Sequence, residues 1–437
     1  MRPILLVVSL IAAVAVPATA MFMRLHEPVP VDRLIENVGA YVEDNPDDAE
    51  GHYTLGRIHS LAYAKMAFEL PQTDGAGGPD EVVVAPVEVI NERIPNMDEP
   101  AKLPWFEPYD SVQVGKARFE DALTYPRVSA LPDEGRRHLE ASLAEYAKAV
   151  EMAPDEALYW LGYGWMLEEL AEQTDAAVTR PAADEITRPA DSEELRDRAA
   201  RAYNHALTLD FQKDDQVDTE KADVPVGVEA ADNLLRLIKR DGVSEAEQPH
   251  IARIEKQLAE IKARPLGITP IVFAANSRDL ADLIDPHARV AFDLAADGLG
   301  REWPWVTPDA ALLVWDPNGV GSITSGTQLV GGRTWNMFWP DGYAALAALD
   351  DDRDGELRGK ELQGLAAWFD RDGNGVSTQG EVVSLATLGV AALSTAGESH
   401  GREDVAAWQP NGVTFHDGRV LPTWDWLPTS HADAETK

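Results

Sequence analysis

Between Asp350 and Glu381 one twelve-residue pattern occurs twice, as DDDRDGELRGKE over 350–361 and DRDGNGVSTQGE over 370–381. Counted from each opening Asp, positions 1, 3 and 5 are Asp350, Asp352 and Asp354, then Asp370, Asp372 and Asn374. Position 6 is Gly355 or Gly375, and position 12 is Glu361 or Glu381. Carboxylates this dense raise one another's cost of ionisation unless a positive charge sits among them. The glycine allows a sharp reversal of the backbone, so each copy reads as a tight loop with its oxygens turned inward.

A hard divalent cation takes six to eight oxygens at short range, and a wound loop can present that many where a single helix or strand cannot. The spacing resembles the calcium loop of an EF-hand. In that reading side chains 1, 3 and 5 coordinate, the main-chain carbonyl of position 7 (Glu356, Val376) adds an oxygen, and Glu361 or Glu381 closes the site. At position 9, Arg358 cannot be a ligand and leaves its vertex to water, whereas Thr378 can bridge through one. Asp-Gly and Asn-Gly dipeptides also make plain acidic surface turns, but a second complete set beginning twenty residues after the first favours an ion site.

The remaining composition narrows the partners. With 38 Lys plus Arg against 75 Asp plus Glu, the formal net charge of -37 disfavours nucleic acid and anionic lipid and attracts divalent cations. There is no cysteine, hence no disulfide, thiolate metal site or thiol nucleophile. Residues 1–20 read as an export signal: Arg2, an apolar run from Ile4 to Val16, then Ala18-Thr19-Ala20 as a small-residue cleavage site. The alternative is an uncleaved anchor, although the run is short for a bilayer. Export to the periplasm or the extracellular space, with no stable membrane span after cleavage, is the expectation, and calcium is abundant there.

A length of 437 residues accommodates two or three domains. From Val31 to Arg264 the spacing is helical: Leu34, Ile35, Val38 and Tyr41 share a face, Asn45-Pro46 stops that helix, and two further patterns meet at Pro154. Leu55-Gly56 and Leu161-Gly162, with Tyr146, Ala149 and Pro154 or Tyr203 and Ala206, make this stretch resemble tetratricopeptide repeats. Inserts over 71–133 and 174–191 interrupt the period, and an ordinary helical bundle remains the alternative. Such repeats imply a protein or peptide partner held in a concave groove. Helices over Val228–Lys239 and Glu245–Ala263 follow an acidic linker at 213–223, and Pro265 and Pro270 mark the next boundary.

Over 265–437 short apolar runs alternate with Gly, Asn and Asp turns, so this part mixes short strands and helices and the chain as a whole is α+β. Asp417-Gly418 between two apolar runs signals a two-residue hairpin turn. Nine of the twelve Trp lie beyond residue 300 and are expected mainly in the core. The order FDLAADG (292–298), WDPNGVGSITSGTQL (315–329), DGYAALAALD (341–350), the two complete loops and LATLGVAALS (385–394) resembles the EF-hand-bearing region of secreted bacterial RTX-type proteins. The nonapeptide repeats that give that group its name are absent.

Two copies depart from the pattern. The loop opening at Asp316 has Val320 at position 5 and Gln328 in place of the closing Glu, and the turn at Asp293 has Ala295 between Asp293 and Asp297. Both keep a position-6 glycine, Gly321 and Gly298, so they read as structural. Between the complete loops LQGLAAWF is read as two helical turns, with Leu362, Leu365, Ala366 and Phe369 on one face, leaving the first loop and entering the second.

The resulting expectation is an exported, non-catalytic protein whose two loops hold Ca2+ structurally while the helical part docks a partner. No HExxH, GxSxG, phosphate-loop or dinucleotide motif is present. A hydrolase with an acidic pair, or a glycan-binding envelope protein using Trp303, Trp305, Trp335, Trp339, Trp424 and Trp426, are the alternatives.

Overall fold

Beyond residue 270 the apolar runs alternate with a period of two, and both alternating sets are buried. Ile271 and Phe273, Ala311 and Leu313, Leu365 and Ala367 face one core, while Val272 and Ala274, Leu312 and Val314, Ala366 and Trp368 face another. A strand buried on both sides satisfies its backbone only by pairing with neighbours. The result is an eight-stranded antiparallel sheet in the order β7-β10-β11-β12-β3-β6-β8-β9. Its members are β3 (Ile271–Ala274), β6 (Ala310–Trp315), β7 (Glu356–Arg358), β8 (Leu365–Trp368), β9 (Val382–Ser384), β10 (Val390–Ser394), β11 (Val405–Phe415) and β12 (Val420–Trp426).

The computed structural model describes residues 29–69, 81–83, 124–126, 133–178, 192–213, 226–240, 242–262, 264, 267–274, 279–296 and 301–430. The expected export signal at 1–20, Asp297 and Gly298 lie outside the described residues. No helix among the described residues is long and apolar enough to cross a membrane. A ribbon pairs β1 (Glu81–Val83) with β2 (Thr124–Pro126), and a second ribbon of β4 (Ile284–Ala291) and β5 (Glu302–Val306) covers one face of the sheet.

The helices are α1 (Val31–Asp44), α2 (Ala49–Glu69), α3 (Asp133–Met152), α4 (Ala157–Val178), α5 (Ser192–Gln212), α6 (Val226–Lys239), α7 (Gln248–Lys262), α8 (Leu280–Leu283) and α9 (Gly342–Ala347). Helices in the N-terminal half and antiparallel strands in the C-terminal half make the chain α+β. Sequential helices pack side by side, α2 on α3, α4 on α5 and α5 on α6. Glycine sets the closeness of one approach: a Cβ at Gly162 would stand 2.6 Å from the ring of Tyr146, which is itself fully buried. The last helix of the N-terminal half ends at Lys262 and the first strand of the large sheet begins at Ile271, yet one core spans both. Leu34, Val38 and Val42 of α1, with Leu55, Ile58 and Leu61 of α2, share one apolar cluster with the sheet and with Leu346, Leu349 and Leu357.

Two local expectations need correction. LQGLAAWF is not a helix: Gly364 has φ 90° against the Trp315 ring, and Leu365–Trp368 form β8 between β6 and β9. Eight residues make a marginal helix, and two buried sheet faces reward the period-2 arrangement of Leu365 to Trp368 instead. The Asp-Gly hairpin forms with a longer turn. Phe415 N–H donates to Arg419 O at 2.9 Å, leaving His416 to Gly418 as the loop, with Gly418 at φ 88°.

Candidate metal loops

The first loop starts where α9 ends. Asp341 caps that helix by accepting from Ala344 N–H at 2.8 Å, and its apolar face carries Tyr343 and Leu346 into the core, so Asp350 is delivered to a fixed place. The second loop is the turn of a hairpin: β8 leads in, β9 leads out, and Phe369 N–H donates to Glu381 O at 2.9 Å across its neck. Loop 370–381 is therefore flanked by strands, not by two helices.

The same wiring holds both loops. Asp350 accepts from Asp354 N–H at 3.2 Å and Gly355 N–H at 2.9 Å; Asp370 accepts from Asn374 N–H at 3.2 Å and Gly375 N–H at 2.8 Å. Glu361 accepts from Asp351 N–H and Arg358 N–H, both at 2.8 Å, and Glu381 from Arg371 N–H at 3.0 Å and Thr378 N–H at 2.8 Å. Positions 4 and 6 take left-handed φ in each: Arg353 58° and Gly355 89°, Gly373 66° and Gly375 71°. The carboxylates at positions 1 and 12 are buried while those at position 3 are exposed.

The outcome is two rings of acid. Asp350, Asp352 and Glu361 each offer a carboxylate oxygen within 4.8 Å of the others, and so do Asp370, Asp372 and Glu381. The remaining candidates are arranged differently. Asp354 accepts from Glu356 N–H at 2.9 Å and from the Arg358 guanidinium at 2.5 Å, so its carboxylate is turned to an arginine. Glu356 also pairs with Arg358. Asn374 accepts from Val376 N–H at 2.6 Å and donates to Asp372 at 2.8 Å. The Val376 side chain points to solvent, 59% exposed, and Thr378 is exposed beside Glu381.

Electrostatics fit a cation. Loss of solvation and then the repulsion of Asp354, Glu361 and Asp350 hold the Asp352 carboxyl above its usual range. Loss of solvation, the contact with Asp370 and the charge of Glu381 do the same to Asp372. Burial pushes Glu381 up, but the Thr378 and Arg371 N–H donors outweigh it and hold that carboxyl low. The donor set is hard oxygen throughout, without imidazole or thiolate, which suits ions of the Ca2+ kind and not softer metals. Asp350, Asp352 and Glu361, and Asp370, Asp372 and Glu381, are the residues that would hold it.

The departing loop at Asp316 keeps the shape without the charge. Asp316 accepts from Val320 and Gly321 N–H, both at 2.9 Å, and Gly319 and Gly321 have φ 62° and 70°. Gln328 accepts from Thr324 N–H at 2.8 Å, the role that Glu361 and Glu381 play at position 9 of their loops. At its edge Ile323 N–H donates to Ser377 Oγ at 2.7 Å, so this loop and the second complete loop meet at their eighth positions. In the turn at Asp293, Ala296 repeats the left-handed position 4 with φ 56°.

One contributor escaped the pattern reading. Trp305 Nε1–H donates to Asp370 Oδ2 at 2.6 Å, fixing the position-1 carboxylate of the second loop from β5. The loop sequence carries no sign of a donor 65 residues away. The six Trp weighed as sugar-stacking rings, Trp303, Trp305, Trp335, Trp339, Trp424 and Trp426, are each at most 5% exposed and line the cores.

Residues 279–425, which contain both loops, match the family described as the SPM domain. A segment of 114 residues, 25% of this chain, is 36% identical to the iron-regulated protein FrpA of Neisseria meningitidis serogroup C. That segment spans 10% of FrpA, so the likeness concerns one region of a much longer protein.

Proposed function

We propose that this is an exported, non-catalytic calcium-binding protein, in which loops 350–361 and 370–381 each take one Ca2+ as a structural ion. The observation that carries the reading is the doubled ring of three convergent carboxylates, in which the acids at positions 1 and 12 are braced by main-chain N–H groups that leave further oxygen lone pairs for an ion. Calcium would neutralise the crowded acids and so stabilise the fold by mass action. A sensor opens an apolar groove on binding, whereas here the side chains behind the loops, Leu357, Leu365, Phe369 and Leu385, are already committed to the core. The helical half, packed pairwise, supplies the surface for a protein or peptide partner.

Calorimetric titration of the full chain with CaCl2 tests the proposal. Two equivalents bound and a higher melting temperature are expected, and Asp350→Ala with Asp370→Ala abolishes both effects. Asp316→Ala leaves the stoichiometry at two. A native chain that gives no heat and no thermal shift ends this reading. The full chain is required because α1 lies in the same core as the loops.

A further inference from the structure

Three copies of one loop scaffold differ at positions 2 and 4, which do not ligate. The loop at 316 has Pro317 and Gly319, and the loop at 370 has Arg371 and Gly373. Arg371 turns back on its own loop, donating to Gly380 O at 2.9 Å. In the first loop these positions are Asp351 and Arg353, and both reach across more than three hundred residues of sequence to α1. Arg33 Nε donates to Asp351 Oδ1 at 2.6 Å and its other nitrogen reaches the carbonyl of Leu349. Asn37 Nδ2 donates to Asp351 Oδ1 and to Ala348 O, both at 3.0 Å. Arg353, held at φ 58°, donates to Asp44 Oδ2 at 2.6 Å and to Ala40 O at 3.5 Å.

These contacts bear on the ion site through one shared residue. The Asp351 carboxylate is gripped by α1, and its N–H braces Glu361, which closes the ring. The Leu349 and Ala348 carbonyls immediately precede Asp350, the first ligand. Helix α1 therefore holds the entrance of the first loop from outside, and an ordered first loop presents α1 with its docking points.

We infer that Arg33, Asn37 and Arg353 are positioning residues for the first ion site, so that calcium in loop 350–361 and docking of α1 are one linked equilibrium. This rests on the calcium reading above. Linkage makes the effect reciprocal: what α1 adds to calcium affinity, calcium adds to α1 docking. The second loop, without such contacts, is independent of α1. Because both ion pairs are partly exposed the coupling is modest, about three- to tenfold in affinity.

Hydrogen exchange of residues 31–44 in the full native chain, with calcium or with chelator, is the first test. Calcium is expected to slow exchange there, and to do so in Glu381→Gln but not in Glu361→Gln. The second test uses the charge-balanced pairs Arg33→Ala with Asp351→Ala and Asp44→Ala with Arg353→Ala, since deleting an arginine alone would also change the local potential. In the Glu381→Gln background each pair weakens the remaining site, and in the Glu361→Gln background neither does. Calcium binding with unchanged exchange of α1, or equal loss at both sites, overturns this inference and leaves the calcium reading standing. Absence of any calcium binding by the native chain removes both.

Discussion

Gln328 closes its loop on Ser322: the side-chain Nε2–H donates to the Ser322 carbonyl at 2.8 Å while Oε1 accepts from Thr324 N–H at 2.8 Å. Ser322 is position 7 counted from Asp316, the place whose carbonyl is an ion ligand in a calcium loop. In a calcium loop an ion would bond that carbonyl and the closing carboxylate would accept from the position-9 N–H; here one neutral amide bonds both groups. Gln328 is 1% exposed, so its truncation leaves buried polar groups without partners. Gln328→Ala should cost about 1–3 kcal/mol, and the loss should be the same with calcium or with chelator. Thermal melts under both conditions decide it; a loss that calcium repairs would mean that this loop uses an ion after all.

Trp305 offers a test of the second loop from outside. Trp305→Phe keeps most of the ring but removes the donor to Asp370. Loss of such an outer partner typically weakens metal binding about 10- to 100-fold. The second site should weaken within that range, at the low end because Asp370 keeps two main-chain donors, while the first is unchanged. Titrations in Glu361→Gln and Glu381→Gln backgrounds separate the two sites.

Arg358 pairs with the side-chain carboxylates of Asp354 and Glu356, and in the calcium reading it competes with the ion for Asp354. Arg358→Thr copies Thr378 of the second loop and frees the position-5 carboxylate. Calcium affinity at the first site should rise, by up to about fivefold if the half-exposed contact contributes up to ~1 kcal/mol. An unchanged or weaker site would mean that Arg358 organises the loop instead of blocking it.

Asp425 provides a pH test away from the loops. It is fully buried on β12, where it accepts from Gly342 N–H at 2.9 Å. Burial, and then the charge of Asp341, push its carboxyl well above the usual range, so the folded chain keeps a proton that the unfolded chain gives up. Above an unfolded value of about 3.9 the folded state binds more protons, and this group's contribution to stability falls as pH rises toward its folded value. The slope is at most about 1.4 kcal/mol per pH unit. Asp425→Asn should be relatively more stable at high pH than at pH 4, read as the difference in urea midpoint across that range. A constant difference would remove the buried proton.

The sequence determined the loops because a twelve-residue site is built almost wholly from its own chain. Position-1 and position-12 acids, the glycine at 6 and the oxygens between them are local, and Asp350, Asp352 and Glu361 converge in the same way as Asp370, Asp372 and Glu381. Helical segments were legible for a similar reason: Leu34, Ile35 and Val38 repeat at helical spacing and α1 spans Val31–Asp44, although Tyr41, expected on the same face, is 43% exposed and Val42 is buried instead. What lies between the loops was not legible. Leu365 to Trp368 has no preference strong enough to choose helix or strand, and the choice came from open backbone positions on β6 and β9. Only the tertiary structure decided that Trp305 holds Asp370 and that Arg33 reaches Asp351. Each joins residues through packing of distant elements, and pairings of that kind leave no period or spacing in a single chain.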